Sequence, residues 1–217
     1  MYVVAFLAQK GGVGKTTLAV TLAVQACLVG ESAGVIDADP QATASGWAMA
    51  RARTKGPDAP PPVAAAHDAP TLQRAIKDAR ADGLSWLFID TPAGVSELPA
   101  TAASNADLVL VPCVPSVFNM DALASTVKLV RGVNRPAYFL VNRGRSKGIN
   151  DECALALTSA YGLPAINTHI THRLPIADAE TSGLALLELA AKDPSILRGK
   201  QEFRALWQWL KKHRHKT

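Results

Sequence analysis

The sequence predicts an α/β fold, a single doubly wound domain with helices on both faces of a mostly parallel sheet. Three observations lead there. An apolar run, residues 2–8, is followed by a glycine-rich turn and then by a helix-forming stretch, residues 18–24. Two further apolar runs, residues 34–36 and 86–89, each close on an acid, Asp37 and Asp90. Short apolar runs also alternate with helical stretches along the chain, the pattern of βαβ units in a parallel sheet.

The first run reads as a buried strand. The turn after it, Gln9-Lys10-Gly11-Gly12-Val13-Gly14-Lys15-Thr16-Thr17, has the make-up of a phosphate cradle. Its glycines let backbone N–H groups turn inward without a Cβ in the way, and the helix that follows adds the positive end of its dipole. Gly11, Gly12, Val13, Gly14, Lys15, Thr16 and Thr17 are the expected nucleotide contacts. Lys15 would reach the β- and γ-phosphates and the Thr16 hydroxyl would hold Mg²⁺.

The run at 34–37 ends in Asp37-Ala38-Asp39-Pro40-Gln41. Strand C-termini are where open α/β sheets bind ligands, so the two aspartates either serve a ligand or cap the helix expected over 43–53. Residues 54–62 form a proline-rich surface connection. A short edge strand over 63–66 and a helix over 71–81, with Leu72, Ala75, Ile76 and Ala79 on one face, come next. The strand ending at Asp90 places that carboxylate beside Mg²⁺ and Thr16, and a helix follows over 96–104. Strands at 108–111 and 137–141 flank a helix at 121–131. Beyond them the pattern predicts a helix over 151–161, a strand over 165–167, and a helix over 177–189 interrupted at Ser182-Gly183. In the last helix Phe203, Leu206, Trp207 and Leu210 share one stripe, with Arg204, Gln208 and Lys211 to one side. That stripe could dock on the body, support a DNA-facing surface, or lie on a membrane.

At 217 residues, 48% hydrophobic but only 6% aromatic, the chain can bury a core without disulfides or metals. No apolar run nears the ~20 residues that span a bilayer, and Met1-Tyr2-Val3-Val4 has no charged region or cleavage site of a secretory signal, so a cytoplasmic protein is expected. Cys27, Cys113 and Cys153 lie far apart among apolar neighbours and read as reduced core residues. The five histidines, among them His169, His172 and His215, form no metal-ligand pattern. The net charge is +5, and from Arg198 onward seven basic residues, Lys216 included, face Glu202 alone. An anionic partner would meet that end.

The string KGGVGKTT, with the extra Lys10 and with Gln9 in place of a first glycine, resembles the deviant Walker A motif of the ParA/MinD class of ATPases. Asp37-Ala38-Asp39-Pro40-Gln41 is similar to that class's D-x-D-P-Q segment, and Asp90-Thr91-Pro92-Ala93-Gly94 is close to its D-S-P-A-G segment. The resemblance implies a Mg²⁺-dependent ATPase, nearest to small ParA partition proteins of the ParF kind. Catalysis would rest on Lys10, Lys15 and Asp39: Lys10 crosses into the partner subunit's site and Asp39 orients the attacking water. Asp37, with Thr16 and Asp90, supports the metal shell, Asn142 bonds adenine, and Leu174-Pro175 lines the adenine pocket. The loop Val114-Pro115-Ser116 would face the dimer partner. The implied partners are a second copy held by ATP, DNA bound without sequence preference, and a centromere-binding or cargo-adaptor protein, in a nucleoid-associated setting. Arg143, Arg145, Lys147, Arg173, Arg198, Lys200 and Arg204 are the candidate DNA contacts. The other reading is a membrane-positioning ATPase of the MinD kind, anchored by the terminal helix.

Overall fold

The computed structural model describes residues 1–115, 120–191 and 193–214. Ser116, His215 and Lys216 lie outside the described residues. Seven strands, β1 (Tyr2–Phe6), β2 (Ala33–Asp37), β3 (Val63–Ala65), β4 (Trp86–Asp90), β5 (Leu108–Cys113), β6 (Ala137–Gly144) and β7 (Ile170–Thr171), form one sheet in the order β3-β2-β4-β1-β5-β6-β7. Neighbouring strands all run parallel.

The central strands are buried on both faces, so their residues are apolar without alternation. Side chains still sort by the two-residue period. Val4, Phe6, Trp86 and Phe88 face helices α1 (Lys15–Leu28) and α8 (Pro194–Arg214), whereas Val3, Ala5, Leu87 and Ile89 face the opposite layer. That second layer holds α3 (Ala69–Ala81), α4 (Glu97–Asn105), α5 (Met120–Gly132) and α6 (Lys147–Tyr161). The first layer is completed by α2 (Thr43–Lys55), α7 (Leu174–Thr181) and a short 3₁₀ turn, Leu186–Glu188.

Two expectations change near the C-terminal end. The strand expected at 165–167 is a single bridge between Phe139 and Ala165, and β7 forms three residues past the end of that segment. The helix expected over 177–189 begins earlier, with Pro175 in its first turn where a missing N–H costs nothing, and stops at Thr181. Gly183 then takes φ +67°, and a Cβ there would lie 2.0 Å from the backbone nitrogen of Arg51. This contact presses α2 against the turn after α7. Arg51 completes the junction by donating to the Gly183 and Pro60 carbonyls and by pairing with both oxygens of Glu188.

The terminal helix shows which use its apolar stripe has. Phe203, Leu206, Trp207 and Leu210 are at most 1% exposed, and the Trp207 ring sits 4.6 Å from that of Trp86. The stripe is core. Arg214, the last described residue, lies over the Trp86 ring and pairs with Glu31 at 3.2 Å.

Candidate nucleotide site

Strand register brings the acids together. Phe6 pairs with Asp90, and Asp90 with Asp37, so the ends of β1, β4 and β2 lie side by side. The turn from β1 to α1 closes over them. Gly14, at φ +88°, is the N-cap of α1, whose first turn carries no acid and no side-chain cap. The first N–H groups of the helix therefore face the loop, an arrangement that suits an anion. A side chain at Gly14 would collide with Asn142, whose Nδ2 would be 2.3 Å from the added Cβ.

Asn142 itself donates through Nδ2 to the Val13 carbonyl at 2.7 Å. The amide expected to read adenine thus clamps the phosphate loop through one N–H, leaving its second N–H and its carbonyl oxygen for a base. Val13 takes part through that backbone carbonyl, its side chain being buried. Arg143 makes the companion bond, donating to the Gly12 carbonyl at 2.6 Å.

Thr16 Oγ1 donates to Asp90 Oδ2 at 2.5 Å. Asp90 is wholly buried and its Oδ1 has no partner among the described residues. Burial pushes this carboxyl up to about 7, against the pull of the Thr16 hydrogen bond and of Lys15. Lys15, 6% exposed, is moved below the ordinary lysine value, burial outweighing the attraction of Asp90 and Asp39. A polyphosphate beside Lys15 and a divalent cation beside Thr16 and Asp90 would compensate both. Among the described residues no cluster of three His, Cys, Asp or Glu could hold a metal alone. A cation here would therefore complete its shell with phosphate oxygens and water.

Asp37 holds the segment that follows it. Its Oδ2 accepts from both the backbone N–H and the hydroxyl of Ser45, each at 2.7 Å, and its Oδ1 accepts from the Asp39 N–H at 3.2 Å. Three donors take three of the roughly four acceptor sites of the carboxylate, so it supports the helix and the loop and keeps one site on Oδ1. Asp39 differs: partly exposed, it borders the cavity, and among the described residues its side chain accepts only from the Gln41 N–H at 2.9 Å.

The cavity, about 410 Å³, runs from the phosphate loop, with Lys15, Thr16 and Thr17, past Asn142 to Ile176, Ala177 and Glu180. Pro175 is absent from its wall and Leu174 is 74% exposed, because α7 begins at these residues and presents its next turn inward. Glu180 was not foreseen: no motif marks it, and only the fold brings α7 to the loop. Lys10 stands outside this cavity, bordering a neighbouring one of about 430 Å³ with Pro115, Arg143, Arg145 and His172.

The structure divides the basic candidates. Arg145, Lys147, Arg198 and Arg204 are exposed. Arg173 is not available to DNA: its guanidinium pairs with both oxygens of Glu202, and its side chain is 8% exposed. Lys200 is buried, donating to the Leu189 carbonyl.

A sequence model of the VirC1 protein family matches residues 1–197. The chain is 32% identical over 195 residues to the maintenance of carboxysome distribution protein A of Gloeobacter kilaueensis, covering 88% of this chain and 86% of that one. It is 30% identical over 130 residues to the VirC1 protein of Rhizobium rhizogenes, covering 60% of this chain and 56% of that one. The cell division ATPase MinD of Pyrococcus furiosus shares the fold, with a TM-score of 0.76 at 19% identity over 97% of this chain and 98% of that one. With the phosphate loop, the Thr16–Asp90 contact and the all-parallel sheet, these matches place the chain in the VirC1 protein family, among the ParA/MinD-class partition and positioning ATPases.

Proposed function

We propose that the protein hydrolyses ATP slowly, pairs with a second copy while ATP is bound, and in that state holds DNA without sequence preference so as to position a cargo. The observation that carries this reading is the Thr16–Asp90 hydrogen bond at 2.5 Å, which joins the phosphate loop to the acid at the end of β4. Thr16 and Asp90 would hold Mg²⁺, which when bound neutralises charge on the β- and γ-phosphate oxygens. Lys15 and the loop amides position the phosphates. Asp39, at the cavity edge with an oxygen to spare, orients the water. Lys10 would serve a partner's site, a reading supported by its position outside the cavity of its own chain, so nucleotide and dimer would form together.

Arg145, Lys147, Arg198 and Arg204 are the DNA contacts we propose. Pairing doubles them, which makes individually weak phosphate contacts useful only in the dimer. A centromere-binding or cargo-adaptor protein would then trigger hydrolysis and release. The membrane-positioning alternative loses its main support, because the apolar stripe it requires is already in the core.

Co-sedimentation tests the proposal. The protein, with Mg²⁺ and either ADP or a non-hydrolysable ATP analogue, is spun with random-sequence duplex DNA and, separately, with anionic liposomes, with Lys15→Ala as the nucleotide-blind control. Analogue-dependent binding to DNA alone, weakening steeply with salt, is expected. Binding to liposomes alone would overturn the DNA reading.

A further inference from the structure

We infer that Arg143 is a positioning residue of the phosphate loop: by holding the Gly12 carbonyl it sets the direction of the Val13 N–H, ready for a phosphate oxygen. This rests on the reading of the cavity as an ATP site and adds to it a residue outside the loop that fixes the loop's shape. Arg143 Nη1 donates to the Gly12 carbonyl at 2.6 Å. In a planar trans peptide the carbonyl and the N–H that follows it point to opposite sides. A bond that fixes the Gly12 carbonyl therefore also fixes the Val13 N–H, directed away from Arg143. Gly12 and Gly14, on either side of Val13, take φ +74° and +88°, left-handed turns of the kind that gather successive N–H groups around an anion.

The end of β6 is shaped to aim Arg143 at the loop. Between two register points β6 advances from Asn142 to Gly144 while β7 advances only from Ile170 to Thr171, so Arg143 is the extra residue of a bulge. Its φ is +53°, in the left-handed region that a side chain disfavours. The residues on both sides hold it there: Asn142 donates to the Val13 carbonyl at 2.7 Å, and the Gly144 carbonyl accepts from the His172 N–H at 2.9 Å. A glycine would take the turn without strain but would leave the Gly12 carbonyl without this donor. Two neighbouring residues of β6 thus hold two neighbouring carbonyls of the loop, and the bond from the guanidinium is the charge-assisted one. Arg143 also borders the cavity, so its charge alone could favour a triphosphate, and the experiment has to separate charge from positioning.

The test pairs titration calorimetry, with Mg²⁺ and ATP, with amide NMR spectra of the nucleotide-free protein, on the wild type, Arg143→Met and Arg143→Lys. Arg143→Met keeps the stem and loses the charge and the donors. It should weaken ATP by about tenfold, the low end of what a hydrogen bond from a charged group contributes. It should also shift or broaden the Val13 amide signal, while the Gly14 signal, whose peptide Asn142 holds, moves less. Arg143→Lys, with the charge and a donor restored, should recover part of both effects, and melting without nucleotide confirms that each variant is folded. An unchanged ATP affinity in Arg143→Met would overturn the inference and leave the ATP site standing. So would a weakened affinity with the Val13 signal in place, which would make Arg143 a plain charge beside the phosphates. If the wild type bound no ATP, the ATP reading itself would fall and the positioning role with it.

Discussion

Asp37 and Asp90 occupy paired positions on adjacent strands, yet one takes three donors from its own chain and the other keeps an oxygen with no partner among the described residues. Their mutants should therefore fail differently. Asp37→Ala removes a carboxylate that holds two Ser45 donors, and unfolding in urea should show a loss of about 2 kcal/mol. Asp39→Ala leaves the phosphate contacts in place; ATP binding should persist while phosphate release falls by about 10²-fold or more. That acids would stand at these strand ends was legible in the sequence, because a buried run closing on Asp has few other uses beside a phosphate loop. Which oxygen meets which donor was not, since Ser45 looks like any other residue of a helix. Arg173 and Lys200 carry the same lesson. Charge alone suggested DNA, and only the fold could bring Glu202 and the Leu189 carbonyl to them.

At the scale of elements, the junction of α2 with the turn after α7 is held by the Arg51–Glu188 pair, both side chains 7% exposed. Glu188→Ala would strand a buried guanidinium and should cost about 3–5 kcal/mol. The pair also sets a pH dependence. Burial raises the Glu188 carboxyl, but the bonds from Arg51 and the Ala185 N–H outweigh it, so its folded value lies below the ordinary 4.5. Its contribution is then complete above the unfolded glutamate value and is lost as the pH falls through the lower, folded one. Melting curves from neutral to acid pH should show the wild type losing an advantage over Glu188→Gln only below about 4.5. The strands were legible because burial on two sides writes uninterrupted apolar runs. β7 was not: two residues long, it is set by the bulged end of β6 and by no pattern of its own.

Over the whole molecule, α8 packs into the core by one face, and on the proposed reading its other face meets DNA. Trp207→Ala should destabilise the fold by about 3–5 kcal/mol in chemical denaturation, since its ring is 1% exposed against Trp86. Charge reversal on the outer face, Arg198→Glu with Arg204→Glu, should leave melting nearly unchanged. It should weaken ATP-dependent DNA binding and flatten its salt dependence by roughly one unit of slope for each phosphate no longer neutralised. A matching fall in both stability and DNA binding would show that the two faces are not separable.

The packing of α8 also has a consequence for synthesis. Trp86, at the start of β4, and helix α1 pack against α8, so the Trp86 ring cannot be covered by Trp207 until that residue has been made. At translation rates of about 5–20 residues per second, that leaves the Trp86 ring uncovered on the ribosome for roughly 6–24 s. The growing chain would be a client for chaperones through most of its own translation, and messages broken before the codon for Phe203 would yield sticky fragments that proteases must clear.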